Sequence, residues 1–447
     1  MLPALALGLW LALGPQEPAP APAPPGPERG AEAVFDPAAA LAELVDLRFP
    51  EARRAEAAAL ARGHGDVALW MRAMENFGAF EASPSGIHAV QVPLSVQGKT
   101  EMTELWVYVP AKYDPEVRAP LMVSFHGTGG SGQGMHLLWQ SLADEIGMLV
   151  LAPSEAGENT GYRFSDRERA AALEALRWMR RRFNVDENRI YVSGISRGGH
   201  LCWDLVLRFP DLFAAAAPCI GSPRLSLTGG QNNMRYLENA AALPIRDLQG
   251  SKDDEKLVAS VRLAFELLRA FHPTDAQLIE FQDRGHDFDP TAVDWKAWLG
   301  GAVRDPWPAR SVRCSAAKDE NRAAWLEIAG LDKHVEEIFR PKIEQGDFLA
   351  MDESAQWRFF VKEAVERNAR VVAHRGEPGE FSLELTRATK VRLYLRPEDL
   401  ANGGKLAIHL RDKVLQRRAR PDAKVLLEQF AERFDRSFLP VAQVEVP

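Results

Sequence analysis

The sequence predicts an α/β fold, a mostly parallel central sheet flanked by helices, followed by a smaller β-rich C-terminal module. Three observations carry this expectation. From Gly86 onward, short apolar or alternating runs (HAVQVPL, ELWVYVP, LMVSFH, MLVLAP, RIYVSG, AAAAPCIG, PIRDLQG, QLIEFQD) alternate with helical stretches, and strands interleaved with helices pair in parallel. One of those runs leads directly into a glycine-flanked serine and then a helical pattern, GISRGGHLCWDLVLR. Beyond DPWPAR at 305–310 the texture turns to strands (AAWLEIAG, RVVAHR, FSLEL, VRLYLR, LAIHL, VAQVEVP), with helices around 357–368 and 425–434.

Taken in order, the chain divides into five stretches. Residues 1–14, MLPALALGLWLALG, are an apolar run shorter than the ~20 residues a membrane span needs, and they read as a signal-peptide core. No transmembrane domain is expected, and export to the periplasm or medium is. Residues 15–30 alternate Pro and Ala as an extended spacer. Residues 31–86 are rich in Ala, Leu, Arg and Glu and should be helical. Residues 87–304 should form the α/β domain and 305–447 the β-rich module, whose role the residues do not reveal. A total of 447 residues accommodates both.

Composition narrows the function. Apolar residues at 46%, charged residues at 26% and eleven Trp describe a folded globular protein. A net charge of -8 offers no basic footprint for nucleic acid or an anionic membrane, so small or neutral substrates fit better. The three cysteines, Cys202, Cys219 and Cys314, are odd in number and lack metal-site spacing. Buried free thiols are expected, with a Cys202–Cys219 bridge as the alternative in an exported protein. Walker, H-E-x-x-H and paired C-x-x-C motifs are missing from the sequence, so no metal and no cofactor are expected.

The chemistry gathers on four short segments. Gly194-Ile195-Ser196-Arg197-Gly198 is the G-x-S-x-G pattern in the strand–turn–helix setting that a nucleophile elbow requires. A serine becomes a useful nucleophile only beside a base, so a later histidine is expected, with an acid between them in the chain. Of ten histidines, His286 alone follows the last strand of the sheet, in the loop RGHDF ahead of a closing helix. The acid belongs on the loop after the preceding strand, QGSKDDE, where Asp253 is favoured over Asp254 because Gly250 permits a tight exit and a carboxylate three residues on can turn back to the imidazole. Either Asp could instead cap the next helix.

Upstream, His126-Gly127-Thr128-Gly129-Gly130 forms a glycine-rich turn. Its Thr128 amide, with Gly129 as the alternative, and the Arg197 amide are the expected oxyanion donors. The same turn also spells G-x-G-x-x-G at Gly127, Gly129 and Gly132, with Glu155 further on, which is the rival dinucleotide-binding reading. That rival leaves the elbow, the acid and His286 unexplained.

Over roughly 102–300, the segments FHGTGG, VDENRIYVSGISRGG, QGSKDD and RGHDF resemble the α/β-hydrolase superfamily. Esterases related to polyhydroxybutyrate depolymerases and feruloyl esterases are the nearest resemblance, and the prolyl oligopeptidase catalytic domain is also similar. The resemblance implies an α/β-hydrolase fold and a carboxylic ester hydrolase, with a serine peptidase as the alternative. It implies Ser196 as nucleophile, Asp253 as acid, His286 as base and the turn at Thr128 in the oxyanion hole. About twenty residues separate AAAAPCIG from PIRDLQG, too few for a lid domain, so an open site and small or polymer-borne ester substrates are expected. All these residues precede 305, so a chain ended near Arg304 is expected to keep activity on small esters.

Overall fold

The computed structural model describes residues 35–154, 161–224, 232–271, 275–317, 319–411 and 413–447. The expected signal run 1–14, the spacer 15–30 and Glu155 lie outside the described residues. Residues 37–447 form one compact unit.

Three helices come first, α1 (Pro37–Asp46), α2 (Pro50–Gly63) and α3 (Val67–Glu75). Pro50 starts α2 where its missing N–H costs nothing, and Asp66 caps α3 by accepting from the amides of Ala68 and Leu69. Helix stops at Glu75 rather than continuing to 86: Asn76 closes the last turn, and Gly78 follows with a left-handed φ of +114° that favours glycine.

The central sheet and its helices follow as β1 (Gly86–Val96), β2 (Lys99–Val109), β3 (Ala119–Phe125), α4 (Gly132–Ile146), β4 (Leu149–Pro153), α5 (Asp166–Arg182), β5 (Val185–Ile195), α6 (Arg197–Arg208), β6 (Ala215–Cys219), β7 (Ile245–Gly250), α7 (Glu255–Arg269), β8 (Ala276–Phe281) and α8 (Trp295–Gly301). Strand order is β1-β2-β4-β3-β5-β6-β7-β8. The β1–β2 hairpin and the β2–β4 pair are antiparallel, and every pair from β4 to β8 is parallel. All residues of β3, β4 and β6 are buried, which is what a parallel strand covered by helices on both faces demands.

His136 of α4 is fully buried, and neither ring nitrogen has a hydrogen-bond partner. Burial lowers its pKa from 6.5 to about 4. The unfolded chain therefore takes up this proton at a higher pH than the folded one. The stability contribution is complete above about pH 6.5 and is lost as pH falls toward 4, by roughly 3 kcal/mol. Calorimetric melts between pH 7 and 4.5 should show a steeper fall in Tm for the native chain than for His136→Leu, and equal slopes would refute this.

The C-terminal elements are β9 (Arg310–Ser315), β10 (Arg322–Ala323), β11 (Leu326–Leu331), α9 (Gln345–Leu349), α10 (Glu353–Val365), β12 (Ala369–Arg375), β13 (Glu380–Thr386), β14 (Ala388–Leu395), β15 (Lys405–Leu410), β16 (Lys413–Arg418), α11 (Ala423–Arg433) and β17 (Ala442–Val446). They build a five-stranded sheet, β16-β15-β13-β12-β9, and a four-stranded one, β10-β11-β14-β17. Between the two sheets lies a core that includes Trp325, Phe381 and Leu393.

This C-terminal region is welded to the central eight-stranded sheet. Val312, Cys314, Val361 and Val372 belong to the same apolar cluster as Leu201, Trp203 and Leu237. Arg304 forks onto Asp435 at 2.7 and 3.1 Å, Arg436 reaches Glu187 at 2.6 Å, and Arg177 donates to the Ala431 carbonyl at 3.0 Å. All six of those side chains or backbone sites are buried. Cys202, Cys219 and Cys314 are buried free thiols, so the alternative bridge between the first two is not formed.

Candidate active site

Ser196 occupies the turn between β5 and α6 with φ +54° and ψ −113°, a conformation that costs a side-chain-bearing residue about 1–3 kcal/mol. Its neighbours show why only glycine fits beside it. A Cβ on Gly194 would lie 2.1 Å from the Gly198 carbonyl oxygen, and one on Gly198 would lie 2.1 Å from that of Phe125. The Ser196 amide donates to the Cys219 carbonyl at 2.9 Å, and its carbonyl accepts from the His200 amide at 3.0 Å. The serine is thus pinned from both sides.

Two further loops converge on it. Ser196 Oγ lies 2.8 Å from His286 Nε2, and His286 Nδ1 lies 2.8 and 3.0 Å from the two Asp253 oxygens. The imidazole side chain is 49% exposed and the carboxylate 5%, so the acid is shielded while the ring is open to solvent. Gly250 makes the approach of the loops feasible: a Cβ there would strike the Gly285 oxygen at 1.9 Å. Amides of Ser251 and Lys252 donate to the carbonyls of Phe281 and Arg284 at 3.0 and 2.8 Å, stitching the acid loop to the histidine loop.

The neighbouring acid has another duty. Asp254 accepts from the amides of Lys256 and Leu257 as the N-cap of α7, and the Asp254 amide itself donates to Asp253 at 2.7 Å. Gln249, which the sequence reading did not single out, is fully buried and donates through Nε2 to Asp253 at 2.9 Å. An amide in the middle of a strand pattern carries no local signal of such a role. Ser193 is also buried, and its hydroxyl donates to the Ala217 carbonyl at 2.8 Å.

The glycine-rich turn abuts the serine. The Gly130 amide donates to the Gly127 carbonyl at 3.0 Å, and a Cβ on Gly127 would lie 3.5 Å from Ser196 Cβ. Thr128 and Arg197 both line the cavity that holds Ser196. The Arg197 amide is the first of α6, where helix amides lack an intrahelical acceptor. Its guanidinium is buried and turns to Glu168 at 3.4 Å. Gly132 is explained by packing, since a Cβ there would lie 2.1 Å from the Ala152 carbonyl oxygen. No dinucleotide is needed to account for it.

The cavity measures about 650 Å³. Beneath it, buried Asp204 joins two flanking segments, accepting from Tyr162 Oη at 2.7 Å and Asn233 Nδ2 at 2.9 Å and pairing with Arg169 and Arg208 at 2.9 and 3.0 Å. Burial pushes the Asp204 carboxyl up, but the Arg208 and Arg169 guanidiniums outweigh it and hold the group below its usual range. The expectation of an open site is corrected on one side: Glu353 and Trp357 of α10 line the cavity together with Tyr162, Phe164 and His200. Among the described residues no group of three His, Cys, Asp or Glu side chains converges as a metal site, and no helix is long and apolar enough to cross a membrane.

Strand order and the strained serine after β5 define an α/β-hydrolase fold. No protein-family model matches the chain. Among curated proteins it is similar to a bifunctional acetylxylan esterase/xylanase of Neocallimastix patriciarum, 27% identical over 34% of this chain and 21% of that one. It is also similar to a poly(3-hydroxyalkanoate) depolymerase C of Paucimonas lemoignei, 28% identical over 24% of this chain and 28% of that one. Feruloyl esterase B of Neurospora crassa is 21% identical over 30% of this chain and 49% of its own length. The chain thus spans less than half of each of these relatives. Their names agree with the esterase resemblance that the elbow, acid loop and histidine loop imply.

Proposed function

We propose that the protein is a serine hydrolase cleaving carboxylic esters, with Ser196 as nucleophile, His286 as general base and Asp253 as the acid that orients it. The observation that carries this reading is the unbroken line of contacts, Ser196 to His286 to Asp253, drawn from three separate loops at 2.8 Å each. Ser196 Oγ attacks the ester carbonyl as its proton passes to His286 Nε2. The amides of Arg197 and Thr128 receive the oxyanion, each worth about 3 kcal/mol of barrier lowering. Collapse of the tetrahedral adduct releases the alcohol, which takes the proton back from His286. Water, deprotonated by the same imidazole, then cleaves the acyl-serine ester and frees the acid and the enzyme.

The esterase names of the relatives and the partly open cavity support esters of small molecules or esters carried on polymers as substrates. The apolar run at 1–14 supports export. Residues 305–447 act as part of the catalytic unit, since they share its core and supply one wall of its cavity.

A fluorophosphonate should label Ser196 and leave buried Ser193 untouched, because reaction needs both an adjacent base and an oxyanion site. Peptide mass mapping of folded protein reads this directly. His286→Ala should abolish the adduct. A folded protein with no adduct at Ser196 would end the hydrolase reading.

A further inference from the structure

Two cations line the cavity beside Ser196 without forming an ion pair with a described carboxylate. Arg224 is half-buried, its guanidinium carbon 5.0 Å from the centroid of the Phe164 ring. Its backbone amide donates to Asn233 Oδ1 at 2.6 Å, which ties its position to the Asp204 network, while its guanidinium makes no ion pair or hydrogen bond with a described residue. Lys256, in the first turn of α7, likewise contributes only its backbone amide to a bond, accepted by Asp254. The third cation of the cavity, Arg197, is already paired with Glu168. Of the two acids lining the cavity, Asp254 is engaged by helix amides, and Glu353 is exposed on α10 and pairs with neither cation.

A guanidinium over an aromatic face is attracted to it without needing a hydrogen-bond acceptor, so the N–H donors of Arg224 stay unspent. Those donors form a fork that matches a carboxylate with two parallel hydrogen bonds. Tyr162, Phe164, Leu257 and Trp357 provide apolar walls in the same cavity. We infer that the ester taken by this site bears a carboxylate of its own, separated from the scissile bond by an apolar spacer and received by Arg224, with Lys256 adding a second positive charge. The inference rests on the serine-hydrolase reading and names its substrate class, a half-ester of a dicarboxylic acid or an ester of an alcohol that carries a carboxylate.

The test compares two activated esters of equal acyl length, p-nitrophenyl hydrogen adipate and methyl p-nitrophenyl adipate. The native protein should favour the anionic ester in kcat/KM by about tenfold or more, a preference that shrinks as salt rises from 0.05 to 0.5 M. Arg224→Gln should cut the anionic-to-neutral ratio by roughly 10- to 100-fold, Arg224→Lys should cut it less, and Lys256→Gln should have the smallest effect. A native ratio below one, or a ratio that Arg224→Gln leaves in place, overturns the inference. If Arg224→Gln does not fold, the native salt series and Arg224→Lys decide. Both esters inert and Ser196 unlabelled would instead sink the hydrolase reading beneath it, whereas turnover of the neutral ester without preference for the anion sinks the carboxylate alone.

Discussion

Asp253→Asn is expected to lower kcat on an activated ester by about 10³- to 10⁴-fold, and Asp254→Asn by no more than about tenfold. A carboxylate at 253 accepts the Nδ1 proton of His286 and so presents an unprotonated Nε2 to Ser196, 2.8 Å away. An amide at that place offers an N–H toward Nδ1 and favours the opposite tautomer, in which the base is already occupied. The loss therefore falls on kcat, with the fold intact. At 254 the side chain caps α7, and Asn caps a helix nearly as well as Asp. Steady-state kinetics of the two purified variants, with circular dichroism as the folding check, decides between them. A crippled Asp254→Asn beside an active Asp253→Asn would reverse the roles assigned to the pair.

Ending the chain at Arg304 is expected to give no soluble folded protein, contrary to what the position of the catalytic residues along the sequence suggests. The cut removes Val312, Cys314, Val361 and Val372 from the apolar cluster that also contains Leu201 and Trp203 of α6, the helix that follows Ser196. It removes Asp435 from Arg304, Arg436 from Glu187 and the Ala431 carbonyl from Arg177. It also takes Asn368 from Arg235, a pair 2.6 Å apart, and Glu320 from Arg169 and Arg208. Breaking one buried ion pair costs about 3–5 kcal/mol, and a whole domain is stable by only about 5–15 kcal/mol. Soluble yield, a cooperative thermal transition and fluorophosphonate labelling of the 1–304 chain measure the outcome. A folded, labelled fragment would show that the C-terminal region is dispensable. The smaller substitution Asp435→Ala isolates one of these contacts and should lower stability by roughly 3–5 kcal/mol.

The residues near Ser196 were legible in the sequence because their constraints are local. Backbone atoms crowd Gly194 and Gly198 at 2.1 Å, so the turn leaves its mark as adjacent glycines that any reader can find. His286 and the acid loop were legible from their order after successive strands. The sequence favours Asp253 over Asp254 only through the reach of the loop from Gly250, since both residues suit a cap, and in the fold Asp253 meets His286 while Asp254 meets the α7 amides. Gln249 was hidden because a buried amide on a strand becomes meaningful only once its partner across the loop is known. Strand β9, RSVRCS, escaped the pattern because Arg313 breaks the apolar run, yet in the fold that side chain is buried and donates to the Arg208 carbonyl at 2.7 Å. Trp357 lies more than 150 residues from Ser196 in the chain, and no spacing rule connects the two.

The wall formed by α10 has a consequence for how the protein is made. Synthesis delivers the chain from the N-terminus, so Ser196, Asp253 and His286 leave the ribosome well before Trp357, and Trp357 well before Asp435. The helix that bounds the cavity and the carboxylate that locks Arg304 are among the late arrivals. A nascent chain bearing all three of those side chains therefore still lacks the helix that bounds the cavity. Competence therefore waits for segments that are synthesised well after His286.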